Sequence, residues 1–124
     1  MGARGEGTIQ AGEREVPVLF TNRAIAKAET ALGCSILKVA NGFADGQSGI
    51  RDVAILLCTG MEAARRDARA GGRAITPDDA YEVLDEAGFS VVAEIVMLAI
   101  SDVLAYGVDE GGNRSADGET DPNV

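Results

Sequence analysis

Few side chains in this sequence can do chemistry, and their spacing narrows what that chemistry could be. Cysteines occur only at Cys34 and Cys58, too far apart for a CxxC redox or zinc pattern. They read as two small buried hydrophobes in a reducing compartment, with a disulfide as the alternative. No histidine is present, which removes Ser-His-Asp and Cys-His constellations, imidazole-ligated zinc and any imidazole proton shuttle. The carboxylate pairs Asp78/Glu82 and Asp79/Glu82 have the spacing for acid–base work or cation binding. A solvated helix face has the same spacing, and that is the reading adopted.

Arg65, Arg66, Arg69 and Arg73 could form a phosphate site. Cations near a helix C-terminus are favourable on their own account, however, and the acids Asp78, Asp79, Glu82, Asp85 and Glu86 follow closely. Two solvated, mutually attracting faces are therefore expected. Ser48 precedes a helical stretch without an Asp-Ser-Leu type attachment motif, so it is expected to cap the helix that begins near Ile50. Neither 41–52 nor 109–120 completes a calcium loop: Phe43 occupies a ligand position of the first, and Arg114 replaces the glycine of the second. No GxGxxG or GxxxxGK[ST] pattern occurs. The expectation is no catalytic residue, no cofactor and no metal: not an enzyme.

The elements that would position these residues follow from hydrophobic periodicity. Ile9, Ala11, Val16, Val18 and Phe20 recur at period two around Gly12-Glu13-Arg14, which predicts a hairpin over 7–20 with Pro17 on an edge. The period becomes helical at Thr21, and helices are expected at about 22–32, 35–43, 50–70, 77–87 and 91–106. Thr21 and Thr76-Pro77-Asp78-Asp79 are starts, while Gly33, Gly71-Gly72 and Gly88 are stops. Inward faces are expected from Ile25, Ala28 and Leu32; from Ile36, Leu37, Ala40 and Phe43; from Ile50, Val53, Ala54, Leu57, Met61 and Ala64; and from Ala80, Val83, Leu84 and Ala87.

The last helix, from Ser90 to about Tyr106, is apolar nearly all round between Val91 and Ile100. Such a helix is either central in the core or half-covered by another chain, a second copy included. Both alternatives stay open, and Val92, Val96 and Ile100 are the candidate partner-binding residues. Residues 107–124 carry five acids, one arginine and four glycines, which predicts a disordered acidic tail. The fold class expected is therefore α+β, mainly α: one domain over 1–106, with a hairpin packed on about five helices.

The whole chain of 124 residues is 46% hydrophobic and carries a net charge of −9. That composition supports a folded core and argues against nucleic-acid binding. No signal-peptide h-region opens the chain, and the longest apolar stretch, broken by Glu94, is too short for a bilayer. A soluble intracellular protein without a membrane segment is expected.

The run Val18 to Gly33 carries an F-T-x-x-A stretch (Phe20, Thr21, Ala24) and an E-x-x-L-G helix end (Glu29, Leu32, Gly33). After it come an I/L-rich short helix, Ser48 with Arg51-Asp52 opening a long helix, Leu56-Leu57 and Gly60 within that helix, and a T-x-D-D start at Thr76. In this order, over about residues 5–106, the chain resembles siphophage tail assembly chaperones of the gene-transfer-agent type. Met61 stands where the family pattern suggests leucine, and the Arg-rich end of the long helix and the Gly-rich tail are particular to this chain. The resemblance implies a non-enzymatic chaperone in the cytoplasm of a bacterial host. It would bind and solubilise the tape-measure protein of a siphophage, prophage or gene transfer agent, help recruit the tail-tube protein, and leave the finished particle. The alternative from a different class is a structural tail or neck subunit that stays in the particle.

Overall fold

The computed structural model describes residues 5–105; the tail over 107–124, and Tyr106, lie outside them. An antiparallel hairpin is followed by five helices: β1 Glu6–Ala11, β2 Arg14–Leu19, α1 Asn22–Leu32, α2 Ile36–Asp45, α3 Ile50–Asp67, α4 Pro77–Ala87 and α5 Phe89–Ala105. The architecture is α+β and mainly α. Ile9 pairs with Val16 and Gly7 with Val18, so the alternation places Ile9, Ala11, Val16 and Val18 on one buried face. That face lies on α3 through β2 and on α4 and α5 through β1. A two-residue loop joins the strands, and Gly12, with φ 63°, fits the first position of a type II′ turn.

Local signals set most of the helix ends. The Thr21 hydroxyl accepts from the Ala24 N–H at 3.0 Å, starting α1, and Gly33 closes it with φ 81°. The Glu29 carboxylate then accepts from the Ile36 N–H at 2.9 Å, so the last turn of α1 caps the first turn of α2. Thr76 and Asp79 form a reciprocal capping box at the start of α4. Between α4 and α5 the chain bends by 115° at Gly88, whose φ of 94° and ψ of 144° only glycine adopts readily. No single helix among the described residues is long and apolar enough to cross a membrane.

Several sequence expectations need correction. Leu37 is 63% exposed and Ile50 58% exposed; each sits in the first turn of its helix, where Val39 and Val53 supply the buried contact instead. Helix α3 ends at Asp67, before the expected glycines, because Arg69 takes the left-handed conformation at φ 56°. The Arg69 and Ala70 N–H groups bond back to the Arg66 and Arg65 carbonyls, completing a Schellman end without glycine. Ser48 does not cap α3. Its hydroxyl donates to the Val39 carbonyl at 2.8 Å and closes the α2–α3 turn, while Gly49 is the N-cap and donates its N–H to Asp52.

Val92, Val96 and Ile100 are fully buried, among the largest side chains of the core, together with Phe20, Leu56, Leu57 and Val83. Helix α5 is thus central, and in the folded chain the side chains of Val92, Val96 and Ile100 offer no surface to a partner. Helices α3 and α4 and strand β1 pack against α5.

Candidate functional site

An open groove runs along α3, from the end of β2 to the start of α4. A cleft of about 530 Å³ between α1 and the C-terminal half of α3 is lined by Leu19, Ala24, Cys58, Thr59, Ala63 and Ile75 and flanked by Arg23, Lys27, Glu62, Arg66 and Asp67. A second cleft of about 300 Å³ continues toward the N-terminus of α3, between Ala31, Arg51, Ala54, Ile55, Pro77 and Tyr81. Cys58 and Thr59 line both. The α3 residues that line the pair are 51, 54, 55, 58, 59, 62, 63, 66 and 67, a stripe at helical period from one end of α3 to the other. Small side chains at Ala24, Ala31, Ala54, Cys58 and Ala63 make the floor.

Two carboxylates brace the far wall. Glu62 accepts two bonds from Arg65, at 2.9 and 2.8 Å, and one from Arg66 at 2.8 Å. It also accepts from the Ile75 N–H at 2.9 Å, which ties α3 to the segment leading into α4. The Arg65 guanidinium, the Ile75 N–H and Arg66 hold the Glu62 carboxyl well below the usual carboxylate range. Asp79 takes a bidentate pair from Arg73 at 2.7 and 2.9 Å, together with the Thr76 N–H. Arg73, then Thr76, lower its pKa likewise.

The predicted attraction between the arginine cluster and the acidic helix is therefore made by one contact, Arg73 to Asp79. Arg65 and Arg66 turn to Glu62 of their own helix, and Glu86 reaches Arg14 of the hairpin at 3.4 Å. Asp78, Glu82 and Asp85 stay on the solvated face. Cys34 and Cys58 are free thiols, both half-buried rather than buried. Burial, then the nearby Asp79 and Glu62 charges, push the Cys58 thiol up, which disfavours its thiolate. Among the described residues no three His, Cys, Asp or Glu side chains gather to hold a metal ion.

The sequence reading did not anticipate the groove. Its signals were Arg23 and Lys27 one turn apart on α1, and the alternation of small and charged residues along α3. On α5 the exposed large apolar side chains are Phe89 (36%), Val91 (46%), Leu98 (64%) and Leu104 (43%), not the three residues expected. Compared with known protein families, with curated proteins and with solved structures, the chain gives no match.

Proposed function

We propose that the protein is a non-enzymatic tail assembly chaperone, which binds and solubilises a tape-measure protein and promotes tail-tube assembly in a bacterial cytoplasm. The observation that carries this reading is the open groove along α3, floored by small side chains and long enough to take a helix. A holding function needs such a feature, since its free energy comes from covering apolar surface that the client cannot bury alone. The family resemblance adds support, because the residues that carry it sit at joints of the fold. Phe20 is a core side chain, Thr21 and Thr76 start helices, Gly33 ends one, and Glu29 links α1 to α2.

Coexpression with the tape-measure protein encoded beside it tests the reading. The expected result is a larger soluble fraction of that client and absence of this chain from purified particles. No rescue, together with retention in the particle, would replace the chaperone reading with that of a structural tail or neck subunit.

A further inference from the structure

We propose that the α1/α3 groove receives an amphipathic helix whose apolar stripe is bordered by acidic residues. The chain carries a net charge of −9, yet the groove is bordered by four cations, Arg23, Lys27, Arg51 and Arg66, against two acids, Glu62 and Asp67. Glu62 is already occupied by Arg65, Arg66 and the Ile75 N–H. Arg23, Lys27 and Arg51 are exposed and make no ion pair within the described residues. The groove is thus an electropositive strip on an acidic protein, and opposite potentials steer and register a guest.

Its dimensions suit a helix. From Arg51 to Asp67 the strip spans about 24 Å of helix axis, matching a guest of about 16 residues. The alanines, Cys58 and Thr59 on the floor let a second helix approach closely, while Leu19, Ile55 and Ile75 offer larger apolar contacts. Arg23 and Lys27 stand on the α1 wall, whereas Arg66 shares the α3 wall with Glu62 and Asp67, so the guest's acids should concentrate on the α1 side. The geometry depends on the chaperone reading only for which protein supplies the helix.

The test uses the full chain and two synthetic peptides of about 18 residues, each with an alanine and leucine stripe, one flanked by glutamates and its twin by lysines. The glutamate peptide should bind at low salt at least about tenfold more tightly than its twin. It should also slow iodoacetamide alkylation of Cys58 on the groove floor while leaving Cys34 unaffected. The double variant Arg23→Glu/Lys27→Glu should remove that preference. The control Arg14→Glu/Lys38→Glu, with the same change of net charge at residues that line neither cleft, should keep it. Equal binding of both peptides, unprotected Cys58, or an equal effect of the control variant would overturn the proposal. Tape-measure solubilisation by the same variants separates the two readings. Full rescue by Arg23→Glu/Lys27→Glu overturns the groove and leaves the chaperone standing. Peptide binding at the groove without rescue by the intact protein supports the groove and overturns the chaperone.

Discussion

Gly60 lies directly beneath the ring of Phe20: a Cβ at position 60 would stand 2.5 Å from Cζ and 2.8 Å from Cε2. Phe20 is fully buried at the junction of β2 and α1, so this contact seats the hairpin on α3. Gly60→Ala should destabilise the fold by about 1–3 kcal/mol through overpacking, although alanine is the better helix former. Adding Phe20→Leu makes room for the methyl group. In urea titrations the double variant should lose less stability than the sum of the two single variants.

Val96 and Leu98 share a helix and differ in exposure, 0% against 64%. Val96→Asp buries a carboxylate among Val92, Ile100 and their neighbours and should cost about 4 kcal/mol or more. Leu98→Asp should stay within about 1 kcal/mol. In the core of α3, Leu57→Ala should cost about 2–5 kcal/mol, whereas Glu82→Ala on the solvated face of α4 should change stability by no more than about 0.5 kcal/mol. Circular dichroism melts check both pairs.

Arg69 holds φ 56° without being glycine, a conformation in which its Cβ crowds the backbone. Arg69→Gly should stabilise the protein by about 0.5–1 kcal/mol, the relief of strain exceeding the entropy that glycine adds to the unfolded chain. A higher urea midpoint with an unchanged slope is the expected reading.

Acid should weaken the α3–α4 joint. The folded-state pKa values of Glu62 and Asp79 lie below their ordinary values of 4.5 and 3.8. Their contribution is therefore complete above those values and is lost as pH falls toward the folded-state ones. The double variant Glu62→Gln/Asp79→Asn should be less stable than the parent chain at neutral pH. The difference should narrow as pH drops from about 5 to about 3, and urea titrations across that range measure it.

Much of the fold was legible locally because its signals are local. The change of period at Thr21, the caps at Thr21 and Thr76, the stop at Gly33 and the turn at Gly12 each depend on residues within one turn of chain. The sequence by itself therefore determined five helices behind a hairpin. Periodicity could not orient α5: a helix apolar nearly all round has no strong phase, so only packing decided that Val92, Val96 and Ile100 turn inward and Leu98 outward. Packing also left Leu37 and Ile50 outside the core. Long-range partners were equally invisible. Ser48 bonds back to Val39, and Glu62 holds Ile75, thirteen residues onward, through contacts that no local pattern encodes. The groove is the extreme case, because its walls come from α1, α3 and the start of α4, and it exists only once tertiary packing sets those helices side by side.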